Sequence, residues 1–186
     1  MVTIPSLLLP VLVSAFAVFV LSFVANMVLP HHRTDFAKLP GEDQAMGALR
    51  ALAIPPGEYV MPHGGSPAAM KDPAYVAKQN LGPVALVTVL PNGPPAMGRI
   101  LAVWFVHLFV VGIFVAYLTG RALPASAEAR AVFRFAATVA FIAHVVAGWP
   151  FSIWYGRKWS STVKTSLDGL VYALATGAVF AWLWPV

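Results

Sequence analysis

Two histidines stand inside long apolar runs, and their setting invites chemistry more than any other in the chain. His107 lies eight residues beyond Arg99, and His144 lies eight residues before Ser152. At about 1.5 Å of helix rise per residue, both would sit about 12 Å from one membrane boundary. An ionisable group at that depth is costly and is a functional candidate by default. Two uses are open. One is cofactor binding, as a bis-imidazole haem b or as ligand to a chlorophyll-type pigment. The commoner one is a hydrogen bond across a helix interface. His144 falls on a stripe of small residues, Ala136, Ala140 and Gly148, whereas His107 lies off the Gly112, Ala116, Gly120 stripe of its own run. That difference speaks against one cofactor shared by both.

The other titratable groups suggest less. Asp168 opens the last apolar run near Lys164, Arg157 and Lys158, and reads as a helix-start acid paired with an interfacial base. A proton or cation carrier is expected to show a buried midplane acid and broken helices. His31, His32, Asp35, Glu42, Asp43 and His63 are metal-capable. Adjacent histidines seldom chelate one ion together and no HExxH spacing occurs, so no metal site is expected, and the HHR triplet reads as a contact for lipid phosphates. There is no GxSxG nucleophile pattern. With no cysteine there is no thiol catalysis, disulfide or iron–sulfur cluster. No catalytic residue is assigned.

The elements that must carry these residues are four apolar runs, Ile4–Leu29, Ile100–Leu118, Ala131–Trp149 and Leu167–Trp184. Each reaches or approaches the ~20 residues that cross a bilayer as a helix. Mean hydropathy is +0.76, with 59% hydrophobic and 10% charged residues, the composition of an integral membrane protein. The net charge of +5 is dispersed, which argues for topology and lipid contacts rather than nucleic acid. The first run lacks a basic flank and is too long for a signal peptide, so it is expected to be retained. Small residues every four positions, Ala136, Ala140 and Gly148 on the third run and Gly169, Ala173, Gly177 and Ala181 on the fourth, predict close helix packing. The tryptophans lie mostly near run ends, where they anchor at the interface.

Between the first two runs, residues 31–98 form the one sizeable extramembrane segment. Gly41–Leu52 reads as a helix with Glu42 and Asp43 in its first turn, complementing the dipole. Glu58–Pro62 reads as a short strand. Asp72-Pro73 is a helix start, with a cap followed by proline at the first position. Val84–Leu90 is β-branched and reads as a second strand. The order predicts a small two-stranded α/β cap, too small to bury much core. Near the span ends, six basic residues (Arg33, Lys38, Arg99, Arg157, Lys158, Lys164) lie on the cap side and three (Arg121, Arg130, Arg134) on the other, which predicts a cytoplasmic cap with both termini outside.

The strings VLPHHRTDFAKLPGED, MKDPAYVAKQNLGPVALVTVLP and SIWYGRKWSSTVKTSLDGLVYAL resemble a family of small four-span bacterial membrane proteins of uncharacterised activity. The resemblance implies four spans with a cap between the first two, and no catalytic positions. The expectation is therefore an all-α membrane protein. Its transmembrane helices lie at residues 4–29, about 100–119, 131–149 and 167–184, and its α/β cap at 31–98. Such a protein would sit in a bacterial inner membrane, in contact with lipid and with other membrane subunits or further copies of itself. It would act as a non-catalytic accessory subunit of a larger complex, a respiratory or photosynthetic one for example. The alternatives are an electron-transfer or pigment-binding module using His107 and His144, and a small transporter or membrane enzyme.

Overall fold

The computed structural model describes residues 2–185. The chain is mostly helical, with one small sheet, and divides into two compact units. The helical unit comprises the chain up to Ala37 together with Ala96 onward; the other is Lys38–Pro95.

The helical unit starts with α1 (Leu8–Phe23), extended by a tight turn at Pro5–Leu7 and by one wide turn at Val24–Val28. In that wide turn the N–H of Leu29 reaches back five residues to donate to Val24 O, at 3.0 Å. A turn of this kind often marks a functional position in a helix. Among the described residues, three helical stretches are long and apolar enough to cross a membrane: Pro5–Val28 (24 residues, mean hydropathy 2.7), Met97–Ala122 (26 residues, 2.4) and Ala129–Trp154 (26 residues, 1.8). The second is the single helix α4 (Met97–Ala122). The third is composite: α5 (Ala129–His144), a tight turn at Val146–Gly148, and the short α6 (Pro150–Trp154). The last helix, α7 (Trp159–Trp182), is less apolar.

The sequence reading began the last helix at Leu167, whereas α7 begins eight residues earlier. The added turns are polar, and several of their hydroxyls are hydrogen-bonded within the unit. Thr165 Oγ1 donates to Ser161 O (2.6 Å), and Ser152 and Thr162 share a buried hydroxyl–hydroxyl bond. Helical hydrogen bonding does not require apolar side chains, so a hydropathy pattern misses such a start.

The core lies where α1, α4, α5 and α7 meet, around Val11, Val115, Val132, Ala136, Ala173 and Phe180. Small residues allow this packing. A Cβ on Gly177 would stand 2.7 Å from Ala137 Cβ, and one on Gly169 would stand 2.8 Å from His144 O. Ala136, Ala140 and Ala173 are buried, and Ala181 is half-buried. Gly148 has no neighbour within 4 Å of an added Cβ. The α7 stripe thus packs against α5 of the same chain.

In the second unit, α2 (Glu42–Ala51) follows Gly41, whose φ of +66° suits glycine. Strand β1 (Gly57–Met61) pairs antiparallel with β2 (Ala85–Val89), Gly57 opposite Val89 and Met61 opposite Ala85. Between them lies α3 (Pro73–Leu81), capped by the Asp72 carboxylate, which accepts the N–H of Ala74 at 2.7 Å. No residue of Lys38–Pro95 is buried.

Candidate functional site

The densest polar grouping of the helical unit is built from the turn that follows α1 and one face of α7. Leu29 is extended, as a residue before proline tends to be. Pro30 then opens a tight turn, Pro30–Thr34, that carries His31 and His32 side by side. The N–H of Asp35 donates to His32 O (3.0 Å), which brings the Asp35 side chain round to His32. On α7, Lys164 and Asp168 are four residues apart and so share a face.

His32 stands between two carboxylates. Its Nδ1 lies 2.7 Å from Asp35 Oδ2, and its Nε2 lies 2.6 Å from Asp168 Oδ2. A neutral imidazole has a single N–H, so donation to both oxygens requires the imidazolium. His31 Nε2 lies 3.1 and 3.3 Å from the two Asp168 oxygens, and the two imidazole centroids are 4.1 Å apart. Lys164 Nζ donates to Thr34 Oγ1 (2.8 Å) and to Asp35 Oδ1 (3.1 Å). The side chains of His32, Asp35 and Asp168 are only 14%, 11% and 14% exposed, so water screens these pairs weakly.

Burial by itself would lower the His32 pKa. Hydrogen bonds to Asp168 and Asp35, with their charges, outweigh it and raise the pKa above 6.5. For Asp35, burial favours the neutral acid. Hydrogen bonds from His32, Lys164 and Ser161, with the Lys164 charge, prevail and lower the pKa from 3.8 to about 2.

This arrangement corrects the sequence reading of Asp168. It lies well inside α7 rather than at its start, and its partners are His31 and His32, while Lys164 pairs with Asp35. The spacing of His32 and Asp35 is visible in the sequence. Asp168, 136 residues beyond His32, carries no local signal that would connect it.

The other candidates are not part of this cluster. His107 is exposed on α4 and stacks on Trp104, with centroids 5.3 Å apart. His144 is half-buried at the end of α5, edge-on to Tyr172 at 5.8 Å. His63, Glu42 and Asp43 belong to the second unit. Ser22 and Asn26 tie α1 together and to α4. Trp104 Nε1 donates to Ser22 Oγ (2.9 Å), and Asn26 Nδ2 donates to Ser22 O (2.9 Å). Beside them a largely apolar cavity of about 330 Å³ opens between α1 and α4, lined by Phe19, Asn26, Met27, Ile100, Leu101 and Trp104 among others.

The cluster can hold a cation between two carboxylates, and it joins the end of α1 to α7. Comparison with known proteins returns no matching family model, no matching curated protein and no matching solved structure.

Proposed function

We propose that the chain is a four-span integral membrane protein that serves as a non-catalytic accessory subunit of a larger membrane assembly, with Lys38–Pro95 as its docking element. The observation that carries this reading is the burial of that segment. Two helices and a two-stranded sheet form there, yet none of its residues is buried, and Leu39, Met46, Leu52, Leu81, Leu86 and Leu90 are each more than half exposed. A unit on the order of 60 residues is marginal even around a core of its own. One without a core gains most from a partner that covers its apolar side chains.

Charge favours a protein partner over a lipid surface. Lys38, Arg50, Lys71 and Lys78 are balanced by Glu42, Asp43, Glu58 and Asp72, and a segment with no net charge lacks the basic cluster that anionic headgroups attract. The fourth span would be α7, whose 24 residues are long enough to cross a bilayer, although it is less apolar than the other three stretches. Both termini then share one side of the membrane, and the six-to-three distribution of basic residues favours a cytoplasmic docking element.

Extraction in mild detergent followed by native mass measurement tests the proposal. A particle heavier than the 19.9 kDa chain, reduced to single-chain mass by Leu52→Glu together with Leu86→Glu, is expected. A strictly monomeric particle from native membranes would overturn it.

A further inference from the structure

We propose that His31, His32 and Asp168 bind one divalent transition-metal ion that clamps the end of α1 to α7. The site is independent of the assembly proposed above. One ligand atom from each of the three side chains can be chosen so that all lie within 4.8 Å of one another. Ligands held at about 2.0–2.2 Å from an ion stand about 2.8–3.6 Å apart in octahedral or tetrahedral geometry. His31 Nε2 is already 3.3 Å from Asp168 Oδ2. The 2.6 Å contact of His32 Nε2 with Asp168 Oδ2 has to open by only a few tenths of an ångström.

The surroundings prepare His32 for such a role. Its Nδ1 faces Asp35 at 2.7 Å, which directs Nε2 toward Asp168. Metal-bound histidines are commonly oriented in this way by a carboxylate on the other ring nitrogen. Lys164 in turn holds the second Asp35 oxygen, and it also reaches Thr34 in the histidine turn. The support therefore closes on itself.

Two imidazole nitrogens and one carboxylate oxygen select a borderline ion such as zinc, cobalt(II) or iron(II) over magnesium or calcium, which prefer all-oxygen shells. Three protein ligands leave at least one position for water. Binding replaces the proton on His32 Nε2, which leaves to solvent, while the Nδ1 proton stays on the Asp35 hydrogen bond. His31 Nε2, which also faces Asp168, gives up its proton in the same way, to solvent or to its own Nδ1.

The test uses the full chain in detergent, stripped with a chelator and titrated with zinc chloride by calorimetry, and with cobalt(II) by visible absorption. One ion per chain is expected. Asp35→Asn should weaken binding about 10–100-fold at unchanged stoichiometry, and His32→Ala and Asp168→Asn should weaken it further. His63→Ala and His107→Ala should bind as the unaltered chain does. Because losing a buried partner can cost folding, the deciding measurement uses the unaltered protein. X-ray absorption of its zinc complex should show two imidazoles and an oxygen ligand. Absence of saturable binding, a zinc shell without imidazole, or undiminished binding by folded Asp168→Asn protein would each overturn the proposal.

Discussion

The two units of this chain stabilise their helices in opposite ways. In the helical unit, α5 and α7 approach so closely that Gly177 leaves no room for a Cβ, and Phe180, Val115 and Val132 are fully buried. In Lys38–Pro95, secondary structure rests on the Asp72 cap, on Gly41 before α2, and on the five-residue pairing of β1 with β2. No residue there is buried. Capping and strand pairing are therefore sufficient to form helices and a small sheet, but only the helical unit adds the burial that makes packing resistant to change.

The comparison breaks most visibly at Phe180. Phe180→Ala should cost about 3–5 kcal/mol, read as a fall in thermal midpoint in detergent. Leu81→Ala, at a residue 87% exposed, should stay within about 0.5 kcal/mol. Equal effects would mean that the burial contrast is not energetic.

Glycines sharpen the same contrast. Gly177→Val forces a side chain onto Ala137 Cβ and Phe133 O and should destabilise by about 1–3 kcal/mol. Gly47→Ala, in α2 with nothing within 4 Å of the new methyl, should stabilise that helix by about 0.5–1 kcal/mol. Circular dichroism during thermal melting separates the two signs.

A smaller effect follows pH in the metal-free protein. His32 has a raised pKa, so its contribution is complete below pH 6.5 and is lost as pH rises through the raised value. Asp35 has a lowered pKa, so its contribution is complete above 3.8 and is lost as pH falls toward about 2. The groups facing them are Asp168, His31, Lys164, Thr34 and Ser161. The melting temperature should be highest between about pH 4 and 6.5 and decline on both sides. Asp35→Asn should flatten the acid side.

The smallest effect is local. Asp72→Ala removes the α3 cap and should cost that helix about 1 kcal/mol, detected as faster amide exchange at Ala74 with no change in the global midpoint. A global shift would show that the effect of the cap is not confined to α3.

Much of the fold was legible because its signals are local. The apolar runs carry their own length and hydropathy, and Asp72-Pro73 announces a helix start by its cap and its missing N–H. The β-branched Val84–Leu90 reads as a strand without knowledge of its partner. The start of α7 was not legible, because Ser160–Ser166 is polar and its hydroxyls and amine are satisfied by residues such as Ser152 and Thr34 that no helix pattern anticipates. The candidate site was half visible. His31, His32 and Asp35 stand out as metal-capable residues, but the sequence reads the HHR triplet as a lipid contact and Asp168 as a helix start.

Composition and periodicity by themselves determined that long apolar helices would form, where the polar segment would interrupt them, and which residue types could hold a cation. Only the tertiary structure decided that Asp168 faces the two histidines. The physical reason is that a hydrogen bond needs its partners within about 3 Å of one another. Across 136 intervening residues, that distance is fixed by how α1 and α7 pack in the same unit and by nothing in the local sequence of either.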